Sequence, residues 1–154
     1  MKKIVVMSDT HGDNEAIDQI LLENPHADLY LHCGDISVPE GTYPQLLVVK
    51  GNNDYFDYPL QRVLTLDNLR ILVLHSHQYN YLNRYERLTE LGKEKKCQLV
   101  CFGHTHIWHY SGDQGVTLLN PGSAWLNRNG EQPCYALVEY KGSTLKVTKK
   151  IVKN

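Results

Sequence analysis

The chain has 154 residues, with 16 Lys+Arg against 17 Asp+Glu, 8 His and a formal net charge of -1. That length is one ordinary domain spanning residues 1–154, long enough to bury a core without covalent staples. With 42% hydrophobic and 21% charged residues, the sequence is neither disordered nor membrane-embedded. Its near-neutral charge argues against a protein that wraps long nucleic acid, yet leaves room for a small phosphate held through a metal.

Lys2 and Lys3 ahead of Ile4-Val5-Val6-Met7 mimic a signal peptide, but the apolar run breaks at Ser8-Asp9, far short of an h-region. No other apolar run approaches membrane-spanning length, so the expectation is a cytoplasmic protein with no membrane contact. Cys33, Cys97, Cys101 and Cys134 fit that compartment as buried thiols, and Cys97 and Cys101 do not form a CxxC pair.

One device then recurs along the chain: a short apolar run followed at once by small, acidic or histidine residues. Ile4–Met7 leads into Ser8-Asp9-Thr10-His11-Gly12, and Leu29–Cys33 into Gly34-Asp35. Leu46–Val49 leads into Lys50-Gly51-Asn52-Asn53-Asp54, and Ile71–Leu74 into His75-Ser76-His77. Leu99–Phe102 leads into Gly103-His104-Thr105-His106, and Val116–Leu119 into Asn120-Pro121-Gly122-Ser123. Uninterrupted apolar runs of this length predict strands covered on both faces.

Two helices are readable between them. Asp13 caps one in which Ala16, Ile17, Ile20 and Leu21 share a face, and Asn24-Pro25 ends it. Asn83 with Glu86 starts the other; Tyr85, Leu88 and Leu91 recur at helical spacing before Gly92. Tyr135–Tyr140, the turn Lys141-Gly142-Ser143 and Leu145–Val152 read as a hairpin. Together these predict a layered α/β domain with a central mixed sheet and antiparallel strands late in the chain. Sites in open α/β sheets gather beyond the carboxyl ends of strands, which is where the Asp, Asn and His residues fall.

Asp9, His11, Asp35, Asn52, His75, His104 and His106 offer oxygen and imidazole donors with no thiolate. That set suits Mn, Fe, Zn or Mg-like ions rather than a soft metal. Seven donors exceed one tetrahedral ion. They suit two ions sharing Asp35 as a bridge, roughly 3.5–4 Å apart, clamping a phosphoryl group and holding a hydroxide nucleophile between them. Glycines at 12, 34, 51 and 103 let the backbone turn beside these donors.

The ordered motifs D-x-H, G-D, G-N, a His followed by a small residue, and G-H-x-H resemble the calcineurin-like metallophosphoesterase superfamily over residues 4–123. The compact length and the phrases Ser8–Gly12 and Asn120–Ser123 resemble its small YfcE-type phosphodiesterase branch, which also includes the metallophosphoesterase-like subunit of retromer. The resemblance implies a four-layer α/β/β/α sandwich with mixed sheets and two divalent ions, manganese foremost, with iron, zinc, nickel or magnesium as alternatives. It implies that Asp9, His11, Asp35 and His106 hold one ion, and that Asp35, Asn52, His75 and His104 hold the other.

Two departures from the superfamily pattern matter. Asn53 stands where a general-acid His often follows the metal-binding Asn, and an amide cannot donate a proton as an acid does. That favours good leaving groups and leaves Asn53 as a phosphate contact, with Asp54 orienting the ligands from behind. Ser76 stands where relatives carry Gly, which bears on the choice of His75 over His77. Tyr55 and Tyr79, with Phe56, Tyr58, Tyr81 and Tyr85, follow two of the metal motifs. They suit a substrate-stacking wall, half-buried packing or a contact between copies, leaving a homo-oligomer open.

The expected function is therefore a metal-dependent phosphoesterase, more a diesterase than a monoesterase, acting on a small soluble phosphoester. The alternative is a non-catalytic protein-binding scaffold of the same fold, like the retromer subunit. The complete donor set favours the enzyme. A nuclease of the superfamily is a weaker rival, since this chain has neither the acid His nor extra DNA-handling domains.

Overall fold

A computed structural model describes residues 1–153. In chain order the elements are β1 (Lys2–Met7), α1 (Asn14–Glu23), β2 (Leu29–His32), β3 (Leu46–Val48), β4 (Gln61–Leu66) and β5 (Leu69–Leu74). There follow α2 (Arg84–Glu94), β6 (Leu99–Cys101), β7 (His109–Asp113), β8 (Val116–Asn120), β9 (Cys134–Lys141) and β10 (Thr144–Ile151).

Successive side chains of a strand point to opposite faces, so a continuous apolar run needs cover on both. β1 shows this directly. Ile4 and Val6 face a core shared with Leu31, Ile71, Val73, Leu99 and Cys101, while Val5 and Met7 face Ala16, Ile17 and Ile20 of α1. On the other side Leu72, Leu74, Val100 and Phe102 pack against Leu88 and Leu91 of α2. Three apolar clusters thus separate four layers: α1, one sheet, a second sheet, α2.

Both sheets are mixed, in the orders β10-β9-β1-β2-β3 and β4-β5-β6-β8-β7. β1, β2 and β3 run parallel, with β9 antiparallel to β1 and hairpinned to β10. β5, β6 and β8 run parallel, with β4 and β7 as antiparallel edges. The apolar runs alone predict one central mixed sheet; the structure has two, the α/β/β/α sandwich that the family resemblance implied.

Asp13 caps α1 by accepting from the Ala16 amide at 3.2 Å, and Asn24 closes the helix. α2 departs from expectation at both ends. The Asn83 side chain makes no cap hydrogen bond, and Gly92 lies inside the helix, which runs to Glu94. Gly92 allows close approach instead: a Cβ there would sit 2.9 Å from methyls of Val100 and Val116. β4 and β7 had no signal as apolar runs. They are edge strands, β4 alternating exposed and half-buried residues. Among the described residues, no helix is long and apolar enough to cross a membrane.

Candidate metal centre

The loops that leave β1, β2, β3, β5 and β6 meet at one edge of the sandwich. Five of the seven expected donors adopt left-handed backbone there: Asp9 (φ 54°), His11 (47°), Asp35 (60°), His104 (76°) and His106 (58°). Such conformations cost a non-glycine residue roughly 1–3 kcal/mol and persist only where neighbours hold them. Main-chain bonds tie the first two motifs together, Asp9 N to Gly34 O at 3.0 Å and His11 N to Asp35 O at 2.9 Å. Ser123 Oγ donates to the Asp9 carbonyl at 2.7 Å. Asn120 Nδ2 donates to Gly103 O at 3.3 Å and Thr105 Oγ1 at 2.9 Å, holding the His104–His106 turn. The Asn120–Ser123 phrase therefore braces two ligand loops.

Asp54 braces a third. Its carboxylate accepts from the amides of Gly51 (2.7 Å), Asp35 (2.9 Å) and Ser37 (2.8 Å) and stands behind the donors. At Gly51 and Gly103 an added Cβ would overlap the Asp35 carboxylate and the Ser8 hydroxyl, so only glycine lets the backbone pass this close.

The donors converge. Asp9 Oδ1 lies 3.3 Å from His106 Nε2, 3.7 Å from His75 Nε2 and 3.9 Å from His11 Nε2. Asp35 Oδ2 lies 3.2 Å from His75 Nε2 and 3.6 Å from His11 Nε2. The two imidazole Nε2 atoms of His11 and His106 are 3.2 Å apart. Asn52 Oδ1 sits between His75 Nε2 (3.0 Å) and His104 Nδ1 (3.2 Å). Two groups, Asp9–His11–His106 and Asp9–Asp35–His75, have donor atoms within 4.8 Å of one another. His75 Nδ1 faces the Cys33 carbonyl at 2.7 Å, and His106 Nδ1 faces the Leu126 carbonyl at 2.7 Å. A carbonyl requires N–H at each Nδ1, so in the neutral rings both Nε2 lone pairs turn toward the cluster, free for a metal.

Burial works against charge here and the neighbours override it. Asp9 has no exposed surface, yet the neighbouring imidazoles of His106 and His75, with the Ser8 hydroxyl bonded to its other oxygen, hold its pKa below the usual carboxylate value. Burial also opposes Asp35, and the hydrogen bond and charge of His75, with the bonds from Asn53, outweigh it. Burial disfavours the His75 cation, but Asp35 and Asp9 raise its pKa. This is a negative field waiting for positive charge. His104 goes the other way, pushed to about 4 by burial and by the charges of His75 and Arg84.

A divalent cation fits this cluster. Asp9 Oδ1 is buried and accepts no hydrogen bond, an orphan that normally costs stability unless a ligand meets it. Two carboxylate oxygens and oriented imidazole nitrogens are the donor chemistry of a divalent ion of borderline hardness.

Asn53 donates from its amide N–H to Asp35 Oδ1 at 2.8 Å and from Nδ2 to Asp35 Oδ2 at 3.0 Å. Ser76 is buried in left-handed backbone (φ 78°) and donates to Gly103 O at 3.3 Å. The serine fits, and it leaves His75 Nε2 among the carboxylates, with the His77 ring 5.4 Å away. Tyr79 packs against the α2 core and Tyr58 against the α1 core, while Tyr55 is 91% exposed. None of the three lines the cleft of about 320 Å³ over the donors. The ring that does is Trp125, 4.9 Å from the His11 ring, joined by Leu126 and Arg128. These three follow the Asn120–Ser123 phrase by a few residues, the signal that could have found them.

A two-sheet sandwich carrying carboxylates and imidazoles at its strand ends is the arrangement of a metallophosphoesterase. The chain belongs to the Calcineurin-like phosphoesterase superfamily, whose domain matches residues 1–143. It is 35% identical over 144 residues to the probable metallophosphoesterase YsnB of Bacillus subtilis (strain 168), covering 88% of this chain and 82% of that protein. A conserved protein of Streptococcus pneumoniae TIGR4, described as a predicted phosphoesterase, superposes with a TM-score of 0.90 at 27% identity, over 99% of this chain and 92% of that one. Vps29 of Entamoeba histolytica complexed with Zn²⁺ superposes with a TM-score of 0.75 at 21% identity, over 96% and 97% of the two chains; that likeness is one of fold.

Proposed function

We propose that this protein is a metal-dependent phosphodiesterase that hydrolyses a small soluble phosphoester at a dinuclear site, with manganese as its ion. The observation that carries this is the buried, unpaired Asp9 Oδ1 facing three imidazole nitrogens from separate loops. Asp9, His11, Asp35 and His106 hold one ion; Asp35, Asn52, His75 and His104 hold the other. The position of Asp35 Oδ2 between His11 and His75 supports its role as the bridge. When bound, the ions neutralise phosphoryl oxygens and lower the pKa of a water that serves as nucleophile.

The chain's own groups orient that chemistry. Asp54 fixes the Asp35 loop through three amide bonds. Asn53 commits one Nδ2–H to Asp35, which leaves its second amide hydrogen for a phosphoryl oxygen. His104 stays neutral at physiological pH, so its lone pair is available to a metal. With no acidic proton at position 53, esters with stable leaving anions react fastest.

The test is elemental analysis of manganese-loaded protein together with turnover of bis(p-nitrophenyl) phosphate. Two ions per chain are expected, and His75→Ala should lower turnover by about 10³-fold or more with the fold intact by circular dichroism. At most one ion per chain, or wild-type turnover in His75→Ala, would overturn the assignment. A second reading, a non-catalytic scaffold of the same fold, is favoured by the exposed Tyr81, Leu82, Trp125 and Leu126. Fully metal-loaded protein without turnover of any phosphoester would select it.

A further inference from the structure

Beside the cleft over the donors lies a second one of about 480 Å³, lined by Tyr81, Arg84, Tyr85, His104, Ile107 and Arg128. The two share His104 and Arg128 and so adjoin each other. Apart from His104, none of these lining residues belongs to the donor set.

Its chemistry is specified by Arg84. This residue is 7% exposed and opens α2. Nη2 donates to the Tyr79 carbonyl at 2.9 Å and Nε to the Ser76 carbonyl at 3.4 Å, which fixes the guanidinium. Among the described residues no carboxylate comes within 4.0 Å of it, and none reaches Arg128 either. A buried cation without a counter-charge is costly. It also sits at the positive end of a helix dipole, where cations are disfavoured. The two carbonyls accept its hydrogen bonds without neutralising its charge, and an anion entering the cleft would relieve both penalties. Arg128 reaches the same cleft from a different loop, its backbone N–H bonded to the His106 carbonyl at 3.1 Å. The flanking wall is aromatic: Tyr85 stacks on His109 with centroids 4.0 Å apart, and Tyr81 lies open beside it.

We infer that Arg84 and Arg128 form a second-phosphate subsite, and that the substrate is a phosphodiester one arm of which carries its own phosphate and a flat ring, as in a short 5′-phosphorylated oligonucleotide. The inference rests on the phosphodiesterase reading above and names its substrate class. Water adds across one P–O ester bond, OH to phosphorus and H to the departing oxygen, so the products are a phosphomonoester and an alcohol. The two arginines hold the second phosphate; the tyrosines cover the ring.

The test compares the thymidine dinucleotide pTpT with TpT, which differ only in the terminal phosphate, and uses bis(p-nitrophenyl) phosphate as a substrate with no second phosphate. With manganese-loaded protein, kcat/KM for pTpT should exceed that for TpT by about tenfold or more, mostly through KM, as charge-assisted guanidinium–phosphate bonds imply. Arg128→Gln should bring the ratio close to one. Arg84→Lys should retain part of it and Arg84→Gln little; if Arg84→Gln does not fold, Arg128→Gln and Arg84→Lys decide. Calorimetric titration of metal-free protein should show thymidine 3′,5′-bisphosphate binding more tightly than thymidine, a difference lost in Arg128→Gln. Equal kcat/KM for the dinucleotides, or a ratio unmoved by Arg128→Gln, with bis(p-nitrophenyl) phosphate still hydrolysed, would overturn the subsite alone. Hydrolysis of none of the three by metal-loaded protein would overturn the phosphodiesterase reading with it.

Discussion

His32 has no exposed surface, and its two ring nitrogens are both engaged: Nδ1 accepts from the Gly34 amide at 3.1 Å and Nε2 donates to Thr10 Oγ1 at 3.0 Å. Burial pushes its pKa from 6.5 down to about 3, the Asp9 charge recovering only part. Between those values the unfolded chain carries more protons than the folded one, so stability is full above pH 6.5 and falls as pH drops. One proton gives a slope of at most about 1.4 kcal/mol per pH unit. Asp9 and Asp35, both held below 3.8, add a loss of the same sign once pH falls under that value. His75 has the opposite sign: its raised pKa contributes stability present below pH 6.5 and lost as pH rises through it. Urea midpoints of metal-free protein from pH 7 to 4 should therefore fall less steeply in His32→Asn than in wild type. Equal slopes would mean His32 takes up its proton without unfolding. None of this was visible in the sequence, where His32 is one more polar residue at a strand end.

At the scale of elements, α2 carries the clearest lesson. Leu88 and Leu91 set its apolar face as their spacing predicts, but Gly92 was legible only as a stop signal. In the structure it is the contact point with the second sheet. Gly92→Ala gains about 1 kcal/mol of helix propensity. It also places a methyl 2.9 Å from both Val100 and Val116, and overpacking costs about 1–3 kcal/mol. A net loss of up to about 2 kcal/mol is expected in denaturant unfolding; a net gain would show that α2 slides freely over β6 and β8. The strands divide in the same way. β1, β5 and β6 are buried on both faces and read as apolar runs. β4 and β7 are stabilised by pairing with one neighbour, and pairing leaves no imprint on composition.

Across the whole molecule, the three apolar clusters contain none of the seven donor residues. The fold is therefore expected to stand without metal, unlike a domain stapled by its ion. Chelator-treated protein should keep its far-UV circular dichroism. Returning manganese should raise Tm by several degrees, since ligand at about 100-fold over Kd adds about 2.7 kcal/mol and the orphaned Asp9 oxygen gains a partner. Loss of secondary structure on chelation would show that the metal, not the core, holds the layers together.

The sequence by itself determined the family, the strand-end placement of the donors and the identity of the residues that meet, because each motif is local: an apolar run with its donors immediately after it. What only the tertiary structure decided is how those loops are held and what surrounds them. The left-handed backbone at five donors depends on bonds from Ser123, Asp54 and the facing loops. Tyr79 packs half-buried against the α2 core, while Trp125 and Arg128 came to the cleft over the donors, and Arg84 to the one beside it, from distant parts of the chain. Where a side chain points, and whether its charge is met, are set by packing between layers, and that is a property of contacts far apart in sequence.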